Sequence, residues 1–553
     1  MKNCRKLLAL ILAMLMVLSL ASCGGEKSTP DSAPSSGSNS IIGNATEVDQ
    51  AAVAAGEPDG IVAGSVLNTV FTGITSGTTP NTSNDNGCIT LCQNVYETLF
   101  YPANGDYGDM RNLLAKDVQV SEDGLTWTIH LVEDAYFSNG DHFTSEDVIA
   151  SWNHRYELYP GDFDMMKSWS ATGEFEIVIE LNRVVSDLDK QLSHITWSIL
   201  DHKLLEQYPD DGNLDIAIGT GPYMIKEYNA GQNIVLVANP EYWNEERFPH
   251  IEMVNIHMIS DGNSAWISFQ NGDLDVSPEL STIQYTSLVG DSKFNLYEFQ
   301  TASTESLWFN AAAAPFDDEA VREALSYLID KEQVNLAATD GTGNVEYSPF
   351  SPVSPLYVTK EELGDAAREY NTEKGLAILS EAGYQPSDIS FEILVPTSSN
   401  VEQLMAENIQ AQLLALGLDV KVAAYERATY MTLIQTSDYQ CAIHTAAATL
   451  FGGDNVINNT FGSSGRNHFN NWSVKDPDYG AYLDNLISEA RSLSNYDEQS
   501  AALNAITVEM MEKSACVPIL NSIKFFAYSS DLAGLIFSQK EETLWFYECY
   551  WAQ

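Results

Sequence analysis

Apolar and polar residues alternate with a period of two on both sides of a short turn at residues 122–124. Such alternation around an Asp-Gly pair is typical of a β-hairpin. The same pattern returns over residues 175–181 and predicts a further strand there. The positions that carry the alternation are Val118, Val120, Leu125, Trp127, Ile129, Leu131, Phe175, Ile177, Ile179 and Leu181.

Beyond Pro315 the apolar residues change to a helical spacing. Between residues 321 and 329 they follow an i, i+3, i+4, i+7, i+8 pattern, which predicts an amphipathic helix. Asp317 or Asp318 can cap the start of this helix. A second helix is predicted over about 373–382, where the next residue is a glycine that can end it.

A strand, a helix and another strand then follow one another with short connections. Residues 391–395 are an apolar strand, residues 404–416 have helical spacing, and residues 418–422 alternate again after Gly417. This order predicts a βαβ unit, which needs a parallel pair of strands. We therefore expect an α/β fold.

The amino terminus has the form of a secretory signal. Three basic residues precede a 14-residue apolar run over residues 7–20. That run is shorter than the roughly 20 residues of a membrane-spanning helix. We therefore predict that it directs export and does not span the membrane.

The signal ends in a motif that predicts a lipid anchor. The sequence Leu-Ala-Ser-Cys at residues 20–23 resembles a bacterial lipobox, so residues 1–22 should be removed and Cys23 should be lipidated. Residues 23–59 begin with a stretch rich in Ser, Pro, Gly and Asn, which predicts a flexible tether. We expect the mature chain at the outer face of the bacterial cell membrane.

Composition narrows the class of protein. The chain has 553 residues, and its 77 acidic against 27 basic residues give a formal charge of -50. This charge repels phosphates, so we expect no nucleic-acid partner. A 44% apolar content indicates a packed globular protein of several domains. The acidity is interpreted as a solvated surface, with a site for cationic ligands as the alternative.

Motifs of catalysis are missing. The sequence has no His-Glu-x-x-His, no Gly-x-Ser-x-Gly, no phosphate-binding loop and no Gly-x-Gly-x-x-Gly after a strand. We therefore expect no enzymatic activity, no catalytic residue, no cofactor and no metal site, although a hydrolase with an acidic pair stays an alternative. The five remaining cysteines are predicted to be small buried apolar residues: Cys88, Cys92, Cys441, Cys516 and Cys549.

Short motifs from residue 67 almost to the carboxyl terminus occur in the order of one family. The most specific are Gly-Thr-Gly-Pro-Tyr at 219–223 and Asn-Pro-Glu-Tyr-Trp at 239–243. Others lie at 94–99, 114–116, 123–128, 137–141, 144–148, 271–276, 309–310, 315–318, 321–325, 329–330, 381–384, 416–420 and 517–518. Together they resemble the extracellular solute-binding proteins of family 5, the oligopeptide- and dipeptide-binding receptors of ABC importers.

The resemblance implies a two-lobed periplasmic-binding-protein-like fold (type II, cluster C) with an extra inserted domain. Ligand would be enclosed between the lobes and passed to an ABC permease and its ATPase, with the receptor as a monomer. The implied domains are lobe I (60–94, 216–309 and 520–553), an inserted domain (95–215) and lobe II (310–519).

The resemblance also implies a ligand site, in which this chain departs from the family. Peptide-binding members hold the amino terminus of the peptide with the Asp of a Trp-x-x-Asp stretch. Here Ala446 stands at the Trp position and Thr449 at the Asp position, so the charge-assisted anchor is absent. The ligand-binding residues implied are Thr449, Phe451, Asp454, Asn471 and Trp472.

Three consequences stay open. Asp454 or another acidic residue replaces the anchor, and the ligand is a peptide. Alternatively the ligand is a peptide without a free amine or an oligosaccharide, because polar and aromatic side chains suit sugars as well as amides. A metal chelate is the third possibility, because the family includes nickel receptors.

Overall fold

The computed structural model describes residues 58–71, 80, 86–105, 109–207, 217–229, 231–446, 453–465, 469–493, 495–538 and 543–552. The predicted signal peptide and Cys23 lie outside these residues. The side chains of Asn86, Asp454 and Asn455 lie outside the description as well.

Helices and strands are mixed along the described chain. The first group is β1 (Val62–Phe71), α1 (Asn86–Val95), β2 (Phe100–Pro102), β3 (Met110–Asn112), β4 (Ala115–Val120), β5 (Thr126–Leu131), α2 (Ser145–Leu158), β6 (Met166–Gly173), β7 (Glu176–Leu181), α3 (Leu188–Leu192) and α4 (His202–Gln207). The second is β8 (Tyr223–Asn229), β9 (Asn233–Ala238), β10 (Ile251–Met258), α5 (Gly262–Asn271), α6 (Thr282–Leu288), β11 (Phe294–Gln300) and β12 (Glu305–Phe309).

The third group begins with α7 (Glu319–Leu328), α8 (Lys331–Thr339), β13 (Asn344–Val345), α9 (Lys360–Leu363), α10 (Thr372–Glu381), β14 (Ser390–Pro396), α11 (Asn400–Ala415), β15 (Asp419–Tyr425), α12 (Arg427–Gln435) and β16 (Cys441–Thr445). It ends with α13 (Gly453–Phe461), α14 (Trp472–Lys475), α15 (Pro477–Arg491), α16 (Tyr496–Glu512), β17 (Cys516–Asn521), β18 (Ile523–Ser529), β19 (Leu532–Ala533), β20 (Ile536–Ser538), β21 (Thr543–Trp545) and β22 (Tyr550–Trp551).

Two four-stranded sheets lie in the first half of the chain. One has the order β1-β10-β9-β8 and the other the order β4-β5-β7-β6. The second contains the hairpin predicted from alternation, because β4 pairs antiparallel with β5 and Val120 lies opposite Trp127. The further strand predicted over 175–181 is confirmed as β7, which pairs with β5.

A six-stranded sheet organises the second half, in the order β13-β17-β12-β16-β14-β15. Strand β14 runs parallel to both β15 and β16. The unit β14-α11-β15 is therefore the predicted βαβ arrangement with a parallel pair. Strands β11 and β18 form a separate antiparallel ribbon. In sequence, β11 directly precedes β12 and β18 directly follows β17 of the six-stranded sheet.

The predicted helices are present as α7, α10 and α11, and α11 begins four residues earlier than expected, at Asn400. The carboxylate of Asp318 accepts a hydrogen bond from the backbone N–H of Ala320 at 2.9 Å and caps α7. Both predicted glycine stops lie just beyond a helix with a positive φ, +90° at Gly383 and +93° at Gly417. Glycine adopts this left-handed backbone without the steric cost that a Cβ atom brings.

Each large sheet has its own apolar core. Alternate residues of β12 face two separate clusters, with Trp308 in one and Leu307 in the other. The sheet of β1 and β8–β10 packs a third cluster, and the sheet of β4–β7 packs a fourth. No helix of the described residues is long and apolar enough to cross a membrane.

The six-stranded sheet extends past the range predicted for lobe II. Strand β12 begins at Glu305, five residues before the predicted start at 310, and β17 ends at Asn521, two residues after the predicted end at 519. The sheet of β4–β7 lies wholly within the range predicted for the inserted domain. The exact domain limits stay a prediction.

All five cysteines of the described residues are buried, as expected. The Sγ atoms of Cys88 and Cys92 lie 4.0 Å apart. A disulfide needs a sulfur–sulfur distance of about 2.05 Å. These two residues therefore pack side by side as thiols in α1.

Candidate functional site

The chain crosses twice between the β11-β18 ribbon and the six-stranded sheet. Residues 301–304 connect β11 to β12, and Ser522 alone connects β17 to β18. The two crossings touch, because the N–H of Thr301 donates to the carbonyl of Ser522 at 3.0 Å. Paired short crossings of this kind are where two bodies can turn relative to each other.

The side chain of Asn521 ties the two crossings together. Its amide nitrogen donates to the carbonyl of Thr301 at 2.7 Å, to the carbonyl of Ser303 at 2.5 Å and to the hydroxyl of Ser351 at 3.2 Å. The hydroxyl of Ser351 in turn donates to the carbonyl of Thr301 at 2.7 Å. This network fixes where both crossings enter the six-stranded sheet.

Both crossings leave the sheet at one edge, which we call the carboxyl edge. The parallel strands β14, β15 and β16 end there, and so does β17, because β16 and β17 both run antiparallel to β12. The first residue of β12, Glu305, lies opposite Thr445 at the end of β16. In α/β sheets the carboxyl ends of parallel strands are the usual position of ligand sites.

Helices begin directly after these strand ends. Ser399 caps α11, with its hydroxyl accepting from the N–H of Glu402 at 3.3 Å. After β15, the carboxylate of Glu426 caps α12 by accepting from the N–H of Ala428 at 2.9 Å. Arg427, the first residue of α12, is exposed. The carboxyl edge therefore gathers two helix amino termini with acidic, basic and hydroxyl side chains.

Burial shifts the acid–base properties of this edge. Desolvation raises the pKa of Glu305 to about 8, with hydrogen bonds acting in the opposite direction. Desolvation also raises the pKa of Glu402 to about 6, against the attraction of Arg427 and the hydroxyl of Ser399. His444, one residue before the end of β16, has its pKa lowered to about 3 by burial and by the charge of Arg427. Shifted pKa values of several groups in one place are typical of functional sites.

The loop predicted to bind ligand follows in sequence after β16, which ends at this same edge. Ala446 is described and is 2% exposed. Thr449 and Phe451 lie outside the described residues. The backbone of Asp454 lies in the first turn of α13, while its side chain is outside the description. The three predicted contacts of this loop therefore stay predictions.

Asn471 and Trp472 lie at the opposite edge of the sheet. The amide nitrogen of Asn471 donates to Asn310 Oδ1 at 3.0 Å, and Asn310 follows the last residue of β12. Trp472 is 6% exposed and its ring lies 5.0 Å from the Arg322 guanidinium. The structure therefore does not bring these two side chains together with Glu305, and their role in ligand binding stays a prediction.

One group of potential metal ligands occurs among the described residues, at Asp147, Asp201 and His202. Its carboxylates already have hydrogen-bond donors. Asp147 accepts from the N–H groups of Thr144 and His202, at 2.7 and 2.9 Å, and Asp201 from the side chain of Asn139 at 2.9 Å. The group caps α2 and joins it to α4, which accounts for its geometry without an ion.

Sequence patterns did not single out Glu305, Glu402 or Arg427. Glu305 opens the apolar strand Glu-Ser-Leu-Trp-Phe, and a charged residue at the start of a buried strand was the available signal. Glu402 lies in the first turn of α11, two residues before the predicted helical spacing begins. Because this helix belongs to a βαβ unit, the strand-end rule could have placed Glu402 at a ligand-facing edge.

Comparison with known proteins decides the family. The model of "Bacterial extracellular solute-binding proteins, family 5 Middle" matches residues 109–468. The chain belongs to this family. As a family 5 protein it is an extracytoplasmic solute-binding component of an ABC importer.

Relatives of this family 5 protein cover most of its length. Heme-binding protein A of Haemophilus influenzae is 25% identical over 473 residues, which are 80% of this chain and 84% of the relative. The oligopeptide-binding protein AppA of Bacillus subtilis is 26% identical over 455 residues, which are 76% of this chain and 77% of the relative. The nickel-binding periplasmic protein of Escherichia coli is 28% identical over 61% of this chain and 66% of the relative.

Solved structures show the same fold. NikA from Brucella suis in complex with Fe(III)-EDTA aligns with a TM-score of 0.77 at 20% identity, covering 88% of this chain and 99% of NikA. AppA from Bacillus subtilis in complex with a nonapeptide aligns with a TM-score of 0.70 at 21% identity, over 88% of this chain and 99% of AppA. The two-lobed α/β fold expected from the motifs is thereby confirmed.

Proposed function

We propose that this family 5 protein captures oligopeptides, or similar oligomers, in the cleft between its lobes and delivers them to the importer. The observation that carries the proposal is the carboxyl edge. There the strand ends, two helix starts and both crossings meet around a set of polar side chains. Two similar proteins have peptide ligands: one relative is an oligopeptide-binding protein, and one solved structure is a complex with a nonapeptide.

The edge has the chemistry that a peptide needs. Carboxylates, a guanidinium and hydroxyls lie beside strand ends, where backbone groups can pair with an extended ligand. A ligand shifts the receptor towards the closed form only through contacts with both lobes. The double crossing at residues 301–304 and Ser522 allows this closure around the ligand.

The proposal includes the anchor and the partners. Cys23 carries lipid that holds the chain at the outer face of the membrane, and residues 23–59 act as the tether. The protein works as a monomer that presents its closed form to the permease, while the ATPase drives transport. The lobes and the inserted domain follow the ranges predicted from the family motifs.

Native mass spectrometry of the chain beginning after Cys23 tests this function, with thermal shift as a second readout. We expect co-purified peptide, and a rise in melting temperature with peptides. A stable complex with an oligosaccharide or a metal chelate, and no response to peptides, would replace peptide with that ligand. Release of cleaved product from a bound peptide or glycan would favour a hydrolase instead.

A further inference from the structure

One oxygen of the Glu305 carboxyl group is buried without a partner. Its Oε1 accepts a hydrogen bond from the hydroxyl of Ser522 at 3.0 Å. Its Oε2 has no contact with solvent and no hydrogen-bond partner among the described residues. A buried polar group without a hydrogen-bond partner destabilises the folded protein. Such an oxygen at the junction of two crossings indicates a group completed by something outside the chain.

The charges that face Glu305 do not neutralise it. Glu402 on α11 repels it, and Lys524 on β18 attracts it. The ammonium group of Lys524 is engaged with Glu279 at 3.1 Å. Arg427 on α12 acts on Glu402, which is itself 7% exposed. Glu305 and Glu402 are therefore two interacting carboxyl groups whose charge Lys524 and Arg427 only partly balance.

We propose that Glu305 anchors a positively charged nitrogen of the ligand, with Glu402 adding to the negative field. This inference rests on the proposed function and names the chemistry of the same cleft. The donor is the amino-terminal ammonium of a peptide or the cationic side chain of a lysine or arginine. A charge-assisted hydrogen bond from such a nitrogen satisfies Oε2.

A metal ion fits this place less well than a nitrogen cation. Hard divalent ions take six or more oxygen ligands, and zinc takes four ligands that include His or Cys. Glu305 and Glu402 have no third carboxylate, His or Cys close enough to complete a set among the described residues, where the one such group is at Asp147. An ammonium group needs only one or two acceptors and the neighbouring hydroxyls.

The position also explains how an anchor is retained in this chain. Thr449 stands where peptide-binding members of the family carry an Asp, so that charge is missing. Glu305 begins the strand directly opposite Thr445, four residues before Thr449. The carboxylate is thereby supplied from β12 and the crossing, and not from the loop after β16.

The proposal predicts a proton linkage with a defined sign. Because burial raises the pKa of Glu305 to about 8, the empty site is mostly protonated at pH 6. Cation binding needs the carboxylate, so the bound proton must leave. Affinity should therefore rise by up to tenfold per pH unit between about pH 6 and 8, with Glu402 contributing below its own pKa of about 6.

Three peptide pools of nine residues test the anchor in the lipid-free full chain, by isothermal titration calorimetry at pH 6, 7 and 8. The first pool has free amino termini and no Lys or Arg. The second is amino-terminally acetylated and contains one Lys per peptide. The third is acetylated and lacks Lys and Arg. Wild type is compared with Glu305→Gln and Glu402→Gln, and with Glu392→Gln on β14 of the same sheet as the matched control.

We expect wild type to bind the first or the second pool at least 50-fold more tightly than the third. Which of the two binds identifies the source of the cation. Glu305→Gln should remove that preference and the pH dependence, Glu402→Gln should weaken binding about fivefold, and Glu392→Gln should bind like wild type. An unchanged melting temperature of Glu305→Gln would show that the fold is intact, since glutamine has nearly the same shape.

Three results would overturn the anchor. Equal wild-type binding of all three pools would leave the peptide function standing and refute the cation site. The cation site is also refuted if Glu305→Gln keeps the full preference and pH profile. It is refuted as well if elemental analysis finds a divalent ion in wild type that is absent from Glu305→Gln. Binding of no pool by wild type would refute the peptide function itself and the anchor with it.

Discussion

The hydroxyl of Ser186 donates a hydrogen bond to Gln499 Oε1 at 2.9 Å. Ser186 precedes α3 in the predicted inserted domain, and Gln499 lies on α16 in the predicted lobe II. Nearby, the ammonium group of Lys190 lies 4.9 Å from the Tyr496 ring. This small polar contact joins two parts of the molecule that the proposed closure would bring together.

Removal of this hydroxyl should favour the open form. Ser186→Ala loses one hydrogen bond, worth about 1 kcal/mol, which corresponds to about a fivefold shift in the closed-to-open ratio. We expect a larger radius of gyration in small-angle X-ray scattering and weaker ligand binding by about the same factor. Ser168→Ala is the control, because its hydroxyl bonds Glu180 at 3.0 Å within one hairpin. Identical scattering and affinity in the two variants would show that the contact does not contribute to closure.

A buried histidine should make stability fall in acid. His444 is 6% exposed, between the rings of Tyr430 and Phe469, and its pKa is lowered to about 3. In the unfolded chain it binds a proton below about pH 6.5, so the folded state loses stability as the pH falls from there. At pH 5 the loss is about 2 kcal/mol.

His444→Phe tests this linkage, since phenylalanine can take the same place among aromatic rings. Urea unfolding at pH 7 and at pH 5 should show a drop in unfolding free energy that is about 2 kcal/mol smaller than in wild type. His257→Phe, at a partly exposed position in β10, is the comparison. An unaltered drop in His444→Phe would mean that other groups cause the acid sensitivity.

Periodicity predicted the elements well where packing repeats along the chain. The hairpin at residues 118–131 and the helix capped by Asp318 follow from local alternation and capping, which depend on neighbours in sequence. The site depends on neighbours in space. Glu305 meets Ser522 across 217 residues, and the pairing of strands that causes this contact has no local signal.

Asn471 shows that local sequence alone does not reveal what a polar side chain bonds. A polar residue beside a tryptophan is compatible with a ligand site, yet its side chain bonds Asn310 at the far end of β12. Local sequence does not distinguish a polar group that satisfies a buried strand end from one that faces a cleft. Topology makes this distinction, because it decides at which edge of the sheet the residue lies.

The thiols should be unreactive in the folded protein. The five cysteines of the described residues are all buried, and burial raises the pKa of Cys441, Cys516 and Cys549. Thiol reagents attack the thiolate, which these sites disfavour. In a chain beginning after Cys23, Ellman's reagent should react slowly with native protein and should count five thiols after unfolding. Ser287→Cys on the exposed side of α6 is the control and should add one fast-reacting thiol. A count of three thiols in the unfolded wild-type chain would reveal a disulfide.

The motif Gly-Thr-Gly-Pro-Tyr should tolerate no side chain at its first glycine. A Cβ atom at Gly219 would lie 2.0 Å from the carbonyl oxygen of Val95, the last residue of α1. The N–H of Gly221 donates to this same carbonyl at 3.0 Å, so the two backbones are held together there. Gly219→Ala must push apart two backbone segments and should cost at least about 3 kcal/mol. Gly262→Ala, at the start of α5 with no atom within 4 Å of the new Cβ, should change stability by less than about 1 kcal/mol. The midpoint of urea unfolding measures both variants, and similar midpoints would show that α1 can move away from this motif.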